Sequence, residues 1–320
     1  CGIDSWTEPG CGCEGVGCDA CCDGLNPSCG CNACCGVGGF IDGIFPRMGI
    51  QWHRFELFAG VNGFTGPMNF ANISSTDTDR TGTGSFGFYE GFNKGSKLHF
   101  FAEELAFQSG VRFTQSNLSG AGFSDERREQ IFVTSGLFRR VDYGFQPGVV
   151  LDYLYDDWYY RGDLMQIRGE LGWVRPNADV FGLKFAAGVK DDDATTSVID
   201  SSGATVRNNI SFKALNQYRL FYRGRVGKCG SCEGFFGWTD NDDGILGFDS
   251  DLPIKGNLAW NTSATYLIPY EGRKSGGNIE ETWNLSIGFT FYPGRSGARS
   301  SYTSPLLKVA DNGSLMVDRK

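Results

Sequence analysis

The chain has 320 residues, a formal net charge of -8 and a composition high in Gly (47) and Phe (26) but low in Pro (10) and Met (4). The negative balance, with no basic run of five or more residues, excludes a phosphate-tracking nucleic-acid binder. No stretch of 18 apolar residues occurs, which excludes a transmembrane helix. The mean hydropathy of -0.26 suits a soluble protein or a transmembrane β-barrel, in which only alternate residues face lipid.

Residues 1–49 form a cysteine-rich segment. Ten of the 12 cysteines lie here: Cys1, Cys11, Cys13, Cys18, Cys21, Cys22, Cys29, Cys31, Cys34 and Cys35. Gly17-Cys18-Asp19-Ala20-Cys21-Cys22 recurs as Gly30-Cys31-Asn32-Ala33-Cys34-Cys35. Almost no Leu, Ile, Val or Phe is available to build a core, so order here requires covalent staples or a metal. Disulfides are favoured over a thiolate metal cluster, because an exported protein meets oxidants; no cofactor or metal is expected. Adjacent pairs such as Cys21 and Cys22 cannot easily bond each other, which motivates interchain disulfides and a homo-oligomer. A first residue that is Cys1 rather than Met fits removal of a signal peptide. It fits lipidation of Cys1 as well as simple disulfide pairing.

From residue 50 to 293 the texture becomes segments of period-two alternation separated by Gly, Asn, Asp and Ser clusters, the pattern of strands and turns. In chain order they cover 52–64, 85–93, 104–116, 129–141, 145–155, 163–174, 179–190, 209–225, 232–239, 244–252, 257–268 and 281–292. The clearest sets Trp283, Leu285, Ile287, Phe289 and Phe291 against Asn284, Ser286, Gly288 and Thr290. About twelve strands, some of about twelve residues, predict an all-β, antiparallel transmembrane barrel, because a globular sheet rarely uses strands that long. Its partner is outer-membrane lipid and its location the bacterial outer membrane. Loops are expected at 65–84, 117–128, 191–205 and 269–280. Asp142-Tyr143-Gly144 suits a hairpin with Gly at the left-handed position. Trp158, Tyr159, Tyr160, Tyr153, Tyr155, Trp173, Tyr266 and Tyr292 cluster toward strand ends and are expected in the interfacial girdles. A soluble sandwich with an aromatic core is the competing architecture.

Charged residues on the inward faces should line the lumen, since charge facing lipid is costly. They are Arg168 and Glu170 on one strand, Arg219 and Arg223 on another, and Lys184 and Asp152 on two more. They would act as an ion-selective constriction or as a static network filling a narrow barrel. Catalysis finds little support, and no enzyme activity is expected. The two histidines, His53 and His99, lie in no triad context, and no Walker or dinucleotide fingerprint appears. The acidic run Asp240-Asn241-Asp242-Asp243 lacks calcium-loop spacing and reads as a hairpin tip. Cys229 and Cys232 form an isolated Cys-x-x-Cys, expected as a disulfide.

Several strings carry a resemblance: Gly87-Phe88-Tyr89-Glu90-Gly91-Phe92-Asn93, Thr134-Ser135-Gly136-Leu137-Phe138-Arg139-Arg140, Phe221-Tyr222-Arg223, Trp283-Asn284-Leu285-Ser286-Ile287 with Tyr292-Pro293-Gly294, and Val309-Ala310-Asp311-Asn312-Gly313-Ser314. Over residues 50 to 320 the chain resembles a family of planctomycete outer-membrane β-barrel proteins of uncharacterised function. The resemblance implies location and architecture, and supplies no catalytic residues. Most barrels end with their last strand, yet 28 residues follow Tyr292. This tail, 294–320, has enough apolar side chains to dock in the lumen, against the barrel or on a neighbour. Two functions follow: a porin-like barrel passing small hydrophilic solutes within a disulfide-reinforced envelope assembly, or a purely structural envelope protein with a plugged barrel.

Overall fold

The computed structural model describes residues 52–72, 80–98, 105–200, 202–227, 230–270, 282–293 and 304–319. The cysteine-rich segment, Cys229 and His99 lie outside them, and with them the disulfide, lipidation and interchain-pairing expectations. Cys232 is exposed and bonded to none of the described residues.

In chain order the strands are β1 (Phe55–Thr65), β2 (Phe70–Asn72), β3 (Arg80–Gly82), β4 (Ser85–Lys97), β5 (Leu105–Ser116), β6 (Arg128–Arg139), β7 (Gly144–Asp157), β8 (Arg161–Val174) and β9 (Val180–Lys190). They continue as β10 (Asp192–Ile199), β11 (Thr205–Ala214), β12 (Gln217–Val226), β13 (Gly230–Thr239), β14 (Gly244–Lys255), β15 (Leu258–Ile268), β16 (Thr282–Phe291) and β17 (Val317–Arg319). Twelve of these close into an all-antiparallel barrel in the order β1-β16-β15-β14-β13-β12-β9-β8-β7-β6-β5-β4. Closure is made by β1, which pairs with β4 on one side and β16 on the other. Every wall strand has at least ten residues, the length a tilted strand needs to cross a bilayer.

Alternation explains the wall. Along β4 the outward Phe86, Phe88 and Phe92 are exposed while Ser85, Tyr89 and Asn93 are buried. The same division sets Phe236 and Trp238 outside on β13, and Leu285 and Phe289 outside on β16. A closed wall that is apolar outside and polar inside is the outer-membrane barrel, and the soluble sandwich is excluded: large apolar side chains on its strands would face a core, whereas here they face outward. The longest connections, 66–84, 117–127, 191–216 and 269–281, gather at one end. The other end carries 98–104, 140–143, 175–179, 227–229 and 256–257. Gly144, the first residue of β7 after the second of these turns, takes a left-handed φ of 96°.

Three expected segments change. The segment 209–225 is two strands, β11 and β12, divided at Leu215-Asn216, the expected loop 191–205 contains β10, and the expected loop 65–84 contains the short pair β2 and β3. The hairpin β10–β11 leaves the wall at the long-loop end and forms its own sheet with β17. Asn216 fixes the division: its side chain accepts from Gly188 N at 2.9 Å and donates to Asp240 at 2.9 Å, turning the chain back into the wall.

Candidate functional site: a filled lumen

The lumen is occupied by the chain's own tail. Residues 304–319 enter beside the short turns, cross the barrel, and end at the long-loop end, where Val317–Arg319 joins β11 as a third strand. At entry Arg140, just beyond the end of β6, donates to the carbonyls of Ser304 (2.6 Å) and Pro305. Leu306 and Leu307 then pack on Ala106, Phe138 and Val150. Further along, Asp311 meets Arg112 at 3.6 Å, and Asn312 exchanges bonds with Gln130. At the far end Arg319 donates to the carbonyls of Pro67 (3.0 Å) and Phe70.

The long-loop end is sealed by an apolar cap. Trp158, Tyr159 and Tyr160 turn inward and pack with Phe123, Phe132, Leu154, Phe212, Leu315 and Val317. Each of the three aromatics is only 2% exposed, which corrects their assignment to the girdle. Tyr292 is likewise inside, its hydroxyl donating to Asp251 at 2.5 Å. Trp173 does stay outside, with the Tyr143 ring 6.1 Å away. Under the cap lies Arg128, fully buried. Its guanidinium binds Asp156 (Nε, 2.9 Å), Asn69 (2.9 Å), Ser85 (3.2 Å) and the Tyr160 hydroxyl (3.0 Å), between the rings of Phe64 and Trp158. A guanidinium with five donors suits this position, because every neighbour offers an acceptor or a π face.

All six charged residues expected in the lumen face it, in two groups and one singleton. Arg168 forks onto Asp152 (2.8 and 3.1 Å). Arg223 forks onto Glu170 (2.7 and 3.0 Å) and donates to Glu233 at 2.9 Å, while Lys184 bonds Glu233 and lies 3.7 Å from Glu170. Arg219 stands apart, bonded to Gln217 and to Gly313 O (2.6 Å) of the tail. The charges are therefore paired or attached to the tail. Sequence reasoning missed Arg112, Glu233, Asp249, Lys308 and the Arg128–Asp156 pair. The first two sit on inward positions of alternating strands, so the same rule could have found them. Arg128 fell in an expected loop. Between tail and wall, on the short-turn side, remains a cavity of about 230 Å³ lined by Glu170, Lys184, Arg223, Glu233 and Asp251 on one side and Asn261, Ser263 and Thr290 on another. Among the described residues no group of three His, Cys, Asp or Glu could hold a metal ion.

Solved structures of similar shape are membrane barrels. The β domain of the Bordetella autotransporter BrkA has a TM-score of 0.44 at 13% identity, covering 75% of this chain and 99% of that one. The translocator domain of the autotransporter NalP from Neisseria meningitidis has 0.43 at 9%, covering 80% and 96%. The P. putida toluene transporter TodX has 0.37 at 10%, covering 74% and 89%. No curated protein matches the chain in sequence. A family model does match across residues 54–317, the whole wall and nearly all of the tail, and the chain belongs to that family, the family of unknown function DUF6666.

Proposed function

We propose that the chain is an outer-membrane channel held shut by its own C-terminal tail. The observation that carries this reading is the path of residues 304–319 through the lumen from one end to the other. The short turns face the periplasm and the long loops the exterior, the usual arrangement of such barrels. The wall behind the tail is polar and carries both signs of charge, so a lumen freed of its tail would admit small hydrophilic solutes. The cysteine-rich segment would cross-link barrels into a disulfide-reinforced homo-oligomer, since it holds far more thiols than core-forming side chains. A ladder of bands on a non-reducing gel, collapsing with reductant, is the expected result.

Planar-bilayer recording tests the channel. The full chain should be silent, and a chain ending at residue 303 should show conductance steps. Should the shortened chain fail to fold, Asp311→Arg in the full chain sets like charge against Arg112 and should open the lumen instead. Silence from both, in protein whose gel mobility is heat-modifiable, would support the second reading, a structural anchor. That reading is favoured by the anchorage of the tail at both ends of the barrel.

A further inference from the structure

The wall holds the tail chiefly by its main chain. Gln108 treats Leu307 as a neighbouring strand would: Nε2 donates to the carbonyl at 2.9 Å and Oε1 accepts from the amide at 3.1 Å. It also accepts from Leu306 N at 3.1 Å, and Asn93 donates to Leu307 O at 2.9 Å. Further in, Arg168 donates to Lys308 O (2.8 Å), Thr134 accepts from Ala310 N (2.9 Å), Arg219 donates to Gly313 O (2.6 Å), and Gln166 and Gln217 donate to Ser314 O (3.2 and 3.3 Å). Such contacts read the main chain and set few demands on its side chains; the tail they hold bends at Leu306-Leu307 and turns at 311–315, where Asp311 O accepts from Ser314 N (3.1 Å) and Leu315 N (2.8 Å).

The wall is also carved for this chain. Where Val309 lies, β5 has Gly110, and a Cβ there would stand 2.5 Å from Val309 Cγ2; where Leu306 lies, β7 has Gly148, with 2.7 Å to Leu306 Cδ2. Glycine there leaves room for the side chains of a polypeptide packed against the strand. Besides the Asn312–Gln130 amide exchange and the Lys308–Asp249 pair at 3.1 Å, two places add sequence preference. One is the apolar seat for Leu306-Leu307 on Ala106, Phe138 and Val150. The other is Arg112, with Asn284 beside it, which takes Asp311 at 3.6 and 3.4 Å.

We infer that the lumen is a binding channel for a peptide, entered at the short-turn end, with an apolar pair at its start and, four positions beyond that pair, an acidic residue that opens a turn. The tail is its resident ligand, and the same stretch from a second copy, or supplied as a free peptide, would fill it in trans. The inference rests on the reading of the tail as a removable occupant.

The test uses the full chain with a protease site placed in 294–303, cut after folding. The released fragment should stay with the barrel through gel filtration and exchange with a fluorescent synthetic peptide of residues 304–320. A scrambled peptide should not exchange. A peptide carrying Asp311→Lys should bind roughly thirtyfold more weakly or worse, the equivalent of ~2 kcal/mol for leaving Arg112 buried without its partner. Gly148→Leu in the barrel should abolish peptide binding while heat-modifiable mobility is kept. Loss of the fragment without uptake of the labelled peptide, or equal uptake of the scrambled one, would overturn the inference. Peptide binding with no conductance in the peptide-free cut barrel would remove the channel and leave the binding site; conductance with no peptide binding would do the reverse.

Discussion

Replacing Arg128 by Met tests whether the cap at the long-loop end is held by a buried ion pair. The guanidinium is fully buried, and its loss leaves the Asp156 carboxylate enclosed without a cation, a change that costs ~3–5 kcal/mol in protein interiors. Asp156 retains two donors, Gln130 Nε2 at 3.0 Å and the Tyr160 hydroxyl at 2.9 Å, which holds the loss near the lower bound. Asn69 Oδ1 loses its donor as well, while Ser85 still accepts from Asn69 Nδ2 at 2.9 Å. Met keeps a soft contact with Phe64 and Trp158 in exchange for the cation–π term, worth ~0.5–2 kcal/mol. The expected loss is therefore about 3–4 kcal/mol, read as the shift in urea unfolding of the barrel in vesicles, followed by heat-modifiable mobility. Adding Asp156→Leu removes the stranded charge and should restore most of that loss, because a buried pair replaced as a unit is often neutral. A single variant within about 1 kcal/mol of wild type, or a double variant no better than the single, would refute the assignment of the cap's stability to this pair.

Two further outcomes follow. Glu90 is exposed on β4 between the outward Phe88 and Phe92, in register with Ala59 and Phe113. It lies five residues from the start of its strand, roughly 16 Å of extended chain, too far for a glutamate to reach the interface. Glu90→Leu should stabilise the barrel in vesicles by on the order of 1–2 kcal/mol, below the cost of a cation at the midplane, and unchanged unfolding would show that lipid does not reach this position. Asp318, on β17 outside the wall, has its carboxyl pushed above the usual carboxylate range by burial. The folded state thus holds this proton more tightly than the unfolded one, so this group's contribution to stability is full at low pH and lost as pH rises through the folded value. Asp318→Asn should stabilise tail docking at neutral pH, with the gain shrinking as the medium is acidified through the carboxylate range; urea titrations at several pH values would show a gain independent of pH if burial were not the cause.

The wall was legible in the sequence because a bilayer writes its own pattern. Each strand has hydrocarbon on one face and the lumen on the other, so Trp283 to Phe291 alternate with Asn284 to Thr290 and reveal both boundaries. Where the same period arises for another reason, the reading fails. The hairpin β10–β11 is half-buried against the cap rather than against lipid; the alternation of β11 merged with that of β12 into one expected strand, while β10 fell in an expected loop. Composition at strand ends misleads in the same way. Trp158-Tyr159-Tyr160 has the makeup of a girdle, but the tight connection from Asp157 to Arg161 directs all three rings inward, and direction is not written in residue type. The charges of the lumen were legible as charges that cannot face lipid, and Asp152 and Glu170 among them proved to be the partners of Arg168 and Arg223, whereas other partners were not read. Glu233 reaches Lys184 across the intervening strand β12, and Asp311 reaches Arg112 from the tail, so both pairs depend on neighbourhoods far apart in the chain.

The attachment of these charges connects the channel and the anchor. An open constriction leaves its charges facing water, where they act on passing ions. Here Arg168 and Arg219 instead spend donors on the carbonyls of Lys308 and Gly313, and Arg112 faces Asp311. Withdrawal of the tail would return those donors to the lumen without moving the wall, so the groups that hold the barrel closed are the ones that would line it when open. Arg223, Lys184, Glu170 and Glu233 pair among themselves rather than with the tail, and would keep that part of the wall in place in either state. If the proposed channel opens in this way, the closed barrel and the conducting one would differ only by whether the tail occupies the lumen.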